Sequence, residues 1–237
     1  MLSDVNKQTM RSATPAVASP IHPGASPMRH LVDLFIRPRK FFSSQLALGK
    51  TSYVLFVTLC LGMAEAINRI DMEMMRTELG QSRAGWEAFG PLVAQSWIGF
   101  WLWVLFVGAI GAALIWWIGG WWYRVRLKWC DAQNPDKRQA RLVYVYASFV
   151  AAGPSVALAL AWTLVYPNYA QAYSAGDLFS ALIVIFPFWS LIASYAGART
   201  VFDASRWKAR VWFVLLPALF YLVVMGVLAA LLALVEG

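Results

Sequence analysis

Chemistry inside an apolar chain needs ionisable or nucleophilic side chains at depth, and this sequence offers few. Glu65 is the one acid standing within an apolar run. A charge at the centre of a bilayer costs roughly 2.5 to 3.5 kcal/mol, so such a residue is a proton or cation site unless water or a partner reaches it. Asn68 and Arg69 follow within about one turn, which predicts a span-end carboxylate that water or Arg69 can reach. Met72, Met74 and Met75 are soft ligands, but three such near-adjacent positions on a helix cannot face one metal, and no Cys or His accompanies them. Cys60 and Cys130 are far apart, each without a nearby second sulfur or histidine, so neither a disulfide framework nor a zinc site is expected. His22 and His30 both precede the apolar runs. Ser155, Ser190 and Ser194 have no base in their own runs to activate them. No nucleophile elbow, zinc-protease helix or phosphate-binding glycine loop is present. The expectation is a protein without catalytic, metal or cofactor residues.

Two prolines remain. Pro154 and Pro187 fall close to the middle of apolar runs, where each removes an amide donor and displaces the carbonyl four residues earlier, those of Val150 and Ile183. Together with Glu65 they are the candidate intramembrane polar or hinge residues. They carry the alternative reading of a small transporter or channel with kinked helices.

The elements that must position these residues are all helical. Five apolar stretches, at about 52–67, 92–118, 143–166, 178–198 and 211–235, predict an all-α transmembrane bundle filling residues 51–237. The first is short, but Ile67, Ile70 and Met74 continue it at helical spacing, predicting a long helix that stops near Gly80. All but Arg69, Arg76 and Arg83 of the 20 lysines and arginines precede the first span or lie between the second and third or the fourth and fifth. The positive-inside rule then puts the N-terminus in the cytoplasm and the C-terminus in the periplasm. The net charge of +8 is split among short loops, which excludes a nucleic-acid surface and favours attraction to anionic lipids at the cytoplasmic face.

Residues 1–27, rich in Ser, Ala and Pro, are expected to be a disordered cytoplasmic tail. Residues 28–50 place Leu31, Val32, Leu34, Phe35 and Ile36 beside cations, too briefly to span. They predict an amphipathic interfacial segment, with Arg37, Pro38, Arg39, Lys40, Phe41 and Phe42 as candidate membrane-surface contacts. Tryptophans 97, 101 and 103, and 116, 117, 121 and 122, read as two aromatic belts. Gly108 with Ala112, the run Ala151-Ala152-Gly153, and Gly226 with Ala230 supply small residues for close helix contact, within the bundle or in a homo-oligomer.

The hexapeptide Arg37-Pro38-Arg39-Lys40-Phe41-Phe42, then Tyr144, Tyr146-Ala147-Ser148 and Gly153-Pro154 opening the third span, resemble the Yip family of membrane proteins, named for interaction with Ypt-type GTPases. The resemblance covers roughly Met28 to Val235. It implies a non-enzymatic integral protein with a cytoplasmic N-terminus that organises membrane or recruits a partner. The Tyr-Gly-Pro type motif of eukaryotic members is not found in this chain, so GTPase binding is not carried over. The Ala-, Arg- and Trp-rich composition fits the bacterial branch and an inner membrane.

Overall fold

Helix boundaries follow local chemistry closely. The computed structural model describes residues 27–44, 51–175 and 183–236. The expected tail at 1–27 lies almost wholly outside the described residues. So do 45–50 of the expected interfacial segment and 178–182 of the expected fourth span. Helices α1 (Pro27–Ile36) and α2 (Pro38–Ser43) are separated at Arg37, whose φ of −137° and ψ of 62° keep it out of the helical region. Proline at the next position crowds that region for Arg37, while its own fixed φ suits the first turn of α2.

Helix α3 (Thr51–Glu78) stops at Gly80, as its periodicity predicts. Gly80 has φ +69°, and the amides of Gly80 and Gln81 close back onto the carbonyls of Thr77 and Arg76 at 3.0 and 2.8 Å. That pair of bonds is a Schellman cap, which needs a left-handed residue there.

The second span begins later than the apolar pattern suggests. Leu92 belongs to a separate helix, α4 (Ala84–Ala94), and α5 starts at Trp97, where Ser96 Oγ accepts from Gly99 N. The serine cap interrupts an otherwise continuous apolar run. Once begun, α5 runs past the predicted Ile118: Trp97–Leu114 continues through a π-helical turn, Ile115–Gly119, into Gly120–Trp129. It thereby carries Arg124, Arg126 and Lys128 as helix.

Asp136 caps α6 (Lys137–Val165) by accepting from Gln139 N at 2.8 Å. A short α7 (Tyr169–Ser174) follows, then α8 (Ile185–Val201). The last helix, α9, comprises Arg206–Arg210, a π-helical turn Val211–Leu215, and Leu216–Glu236. Its π turn immediately precedes Pro217, and Leu216 N bonds to Val211 O across the widened ring. The extra residue absorbs the disturbance that a proline makes in a helix.

Among the described residues four helices are long and apolar enough to cross a membrane: Tyr53–Glu78, Trp97–Trp129, Lys137–Val165 and Arg206–Val227. No strand occurs among the described residues. The core has two parts. One joins Phe41, Phe42, Val57, Tyr123, Tyr146 and Phe213. The other joins Ile67, Ile70, Phe100, Val104, Val156 and Tyr169. Helices α3 and α5 cross where a β-carbon on Gly62 would fall on the carbonyl oxygen of Gly108 and 2.7 Å from Ala112 N. The small pair Gly108 and Ala112 therefore serves a crossing within the chain. Trp97 and Trp101 are also internal ties: their indole N–H groups donate to Tyr166 O and Thr163 Oγ1 at 2.7 and 3.1 Å.

Candidate functional site

Two places bring together residues that are far apart in sequence. The first is the basic end of the bundle. Helix α2 lies on α8 and α6, with the Phe41 ring 5.1 Å from that of Tyr146 and edge-on to it. Phe42 occupies space that a β-carbon on Gly197 would contest, at 3.3 Å. Both phenylalanines are only 2% exposed. As candidate membrane-surface contacts they are therefore corrected: their apolar area is spent on packing within the chain. Arg37, Arg39 and Lys40 point outward, Pro38 is half-buried at the break, and Lys40 pairs with Asp33 at 3.4 Å. Among the described side chains of α1, Val32 and Ile36 are apolar and exposed, at 52% and 67%. One turn apart, they share a face. The Trp189 indole donates to Phe35 O at 2.8 Å and fastens α1 to α8.

The other two basic segments meet at the same end. Ser205 N donates to Cys130 O at 2.8 Å, and Lys208 Nζ bonds Asp131 Oδ1 at 2.7 Å, so the turn after α5 and the turn before α9 are joined. Arg199 reaches the carbonyl of Ala204. Cys130 sits buried beneath this junction, where loss of solvent and then the Asp131 charge push its thiol up to about 11. At neutral pH it is a small apolar filler rather than a nucleophile.

The second place is a polar cavity of about 660 Å³ among α3, α6, α8 and α9. Leu61, Glu65, Asn68 and Asp71 form one stripe of α3 at helical spacing, and Tyr144, Ser148, Ala151 and Ser155 a facing stripe of α6. Pro187 and Phe188 of α8 and Tyr221 of α9 close the third side. Glu65 is held by Arg69 at 3.2 Å, so of the two partners open to it from sequence, water and Arg69, the arginine is in place. Asp71 accepts from the Tyr169 hydroxyl, whose ring is fully buried and stacked on Phe100 at 4.2 Å. Burial, then the neighbouring Asp71 charge, raise the Tyr169 phenol far above its ordinary range. Beneath Tyr144 and Tyr221 lies Arg126, its guanidinium carbon 4.7 Å from the Phe213 ring centre and its Nε buried without a hydrogen-bond partner.

Each sequence candidate can now be placed. Glu65 and Pro187 line the same cavity. Pro154 lies inside α6 next to Ser155, but Pro187 stands in the first turn of α8, not mid-helix. Ile183 is helical and Val184 a turn, so the helix is interrupted just before α8, and Pro187 occupies a first turn where its missing N–H leaves no intrahelical bond unmade. The serines are occupied by their own helices: Ser155 and Ser190 donate to the carbonyls of Ala151 and Pro187 at 3.3 and 2.7 Å. No cluster of three His, Cys, Asp or Glu able to hold a metal occurs among the described residues. Asp71, Tyr144, Ser148, Arg126 and Tyr221 are the polar residues that sequence reasoning did not assemble. Tyr144 and Ser148 share the α6 stripe, whereas Asp71, Arg126 and Tyr221 come one each from α3, α5 and α9, and only the packing of these helices unites them.

The Yip1 domain family model matches residues 32–228, and the chain belongs to that family. The search of curated proteins found no match, and neither did the search of solved structures. The match covers both regions described above, from the α1–α2 pair to the middle of α9. Two motifs behind the sequence resemblance touch each other: the phenylalanines of the hexapeptide pack on Tyr146 and over Gly197. The chain is thus a membrane protein of the Yip type.

Proposed function

We propose that this protein is a non-enzymatic Yip-type organiser of a bacterial inner membrane, which recruits a protein partner at its cytoplasmic face. It crosses the bilayer five times, with α8 in the fourth span. The N-terminus is cytoplasmic and the C-terminus periplasmic. The observation that carries this reading is the gathering of three basic segments at one end of the bundle, with the Phe41–Phe42 clamp holding Arg37, Arg39 and Lys40 outward. Short basic segments beside spans mark the cytoplasmic side, and an outward cationic edge suits anionic lipid headgroups or an acidic partner.

The test is affinity purification from native membranes with mass spectrometry, comparing the native chain with the triple variant R37Q/R39Q/K40Q. A partner retained by the first and lost by the second supports recruitment; an identical set of proteins from both removes it. Reporter fusions after Pro135 or Ser205 should read as cytoplasmic and fusions after Gly237 as periplasmic. A cytoplasmic C-terminus removes the five-span topology.

The second reading, a small transporter or channel, is favoured by the 660 Å³ cavity with its facing polar stripes. Flux across proteoliposomes that disappears in Glu65→Gln, in a protein that still folds, would establish it in place of recruitment.

A further inference from the structure

A second cavity, of about 560 Å³, opens between α3, α5 and the start of α6, away from the polar one. Its walls are apolar, from Leu55 and Leu59 on one side to Ala109 and Ala113 on the other. The alanines, one turn apart and exposed, leave a furrow where larger side chains would fill the space. Thr58 also lines it, but its hydroxyl is spent on Val54 O at 2.6 Å. Arg138 stands at one end, exposed and without an ion pair among the described residues. Beside it the stem of Arg141 passes over Gly120, where any β-carbon would collide with it, and lays the guanidinium 4.2 Å from the centre of Trp117, itself part of the wall.

The electrostatics of this end are one-sided. Lys137 and Arg138 open α6, Arg141 follows one turn later, and the first turn holds no acid. A helix N-terminus already carries about half a positive charge, so cations placed there repel it, and an anion relieves both. Asp136, the nearest acid in sequence, is bound to the Gln139 amide as the cap. An apolar furrow about two helical turns long, with Arg138 and Trp117 at its end and Arg141 beside the tryptophan, matches the shape and charge of one lipid class.

We propose that this groove binds one glycerophospholipid with an anionic headgroup, its acyl chains lying along Leu55, Leu59, Ala109 and Ala113 and its phosphate held between Arg138 and Arg141. The site rests on the membrane reading of the chain but not on partner recruitment or orientation, so either of those can fail and leave it standing.

Native mass spectrometry of the full chain in detergent, with dioleoyl phosphatidylglycerol or dioleoyl phosphatidylcholine added, tests the proposal. The native chain should hold one phosphatidylglycerol at least about tenfold more tightly than phosphatidylcholine. In R138Q/R141Q the anionic lipid should bind roughly 30-fold more weakly, since each juxtamembrane cation contributes about 1 kcal/mol, while phosphatidylcholine, whose choline cation offsets its phosphate, should lose much less. A109L/A113L, which fills the furrow without touching either arginine, should weaken both lipids. Equal binding of the two lipids by the native chain overturns the proposal. So does undiminished phosphatidylglycerol binding in R138Q/R141Q. Glycerol 3-phosphate binding as tightly as the whole lipid would reduce the site to a phosphate contact and overturn it as well.

Discussion

Gly108 with Ala112 and Gly226 with Ala230 are the same signature, two small residues one helical turn apart, yet they lead opposite lives. At the first, α3 and α5 approach until Gly62 faces the backbone of Gly108 with no space for a side chain. At the second, nothing among the described residues lies within 4 Å of a β-carbon on Gly226, and Ala230 is exposed. Around it Leu219, Phe220, Leu222, Val223 and Val227 all face outward. Helix α9 is anchored near its start by Phe213, fully buried against Tyr123 at 4.8 Å, and then stands along the bundle with little of its surface covered. Small residues permit a close crossing; they do not compel one.

The comparison is broken most severely at Gly62. Gly62→Leu should abolish folding, because the obstacle is the backbone of α5 and cannot rotate aside. Loss of the monodisperse peak in detergent is the readout; a variant that purifies with native thermal stability would mean the helices are not in contact there.

Phe42→Ala should cost about 3 kcal/mol, the usual penalty for emptying a fully packed aromatic site. It should also loosen α2 from α8, so that limited trypsin digestion at Arg37, Arg39 and Lys40 speeds up. A stable variant with unchanged cleavage would return Phe42 to a lipid-facing role.

At the opposite end, Tyr169→Phe removes the hydroxyl that Asp71 accepts and leaves a buried carboxylate one partner short. A loss of about 2 kcal/mol is expected, the cost of removing a hydrogen bond to a charged group. Unfolding by denaturant in detergent would measure it, and no change would show that water replaces the phenol.

Cys130 sharpens the contrast by reactivity. With its thiol pushed from 9.0 to about 11 by burial, the folded chain should carry roughly a hundredfold less thiolate than the unfolded chain below pH 9. Because the protonated form is the one favoured by folding, this contribution to stability is fully present below about pH 9 and is lost as pH rises toward 11. Maleimide labelling of the native protein should be slow at pH 7 and climb steeply above pH 9. Fast labelling at neutral pH would mean that the Cys130–Ser205 junction opens.

Gly226→Leu should have the smallest effect, within about 0.5 kcal/mol, since the new side chain meets open space. A large loss of stability, or a change of oligomeric mass, would reveal a partner helix on that face.

How much was legible in advance depends on the range of the interaction. The all-helical class, the stop at Gly80 and the Glu65–Arg69 pair follow from residues within one or two turns of each other, and local periodicity records such contacts. The break between Leu92 and Trp97 was equally local, but the serine cap lay hidden inside an apolar run that read as continuous. Phe41 and Phe42 looked like membrane anchors because an apolar ring beside cations has the same composition whether it faces lipid or protein. Only the arrival of Tyr146 and Gly197 beneath them decided the matter. The polar cavity is the strongest case. Asp71, Ser148 and Tyr221 belong to three helices with no mutual pattern, and their meeting is a property of how those helices pack. By itself the sequence determined which segments are helices, where most of them end and which end of the bundle is basic, since propensity, capping and charge act over a few residues. Tertiary structure alone decided which apolar faces meet protein, which small pair forms a crossing, and which polar groups share a cavity, because burial depends on neighbours as distant in sequence as Tyr146 is from Phe41.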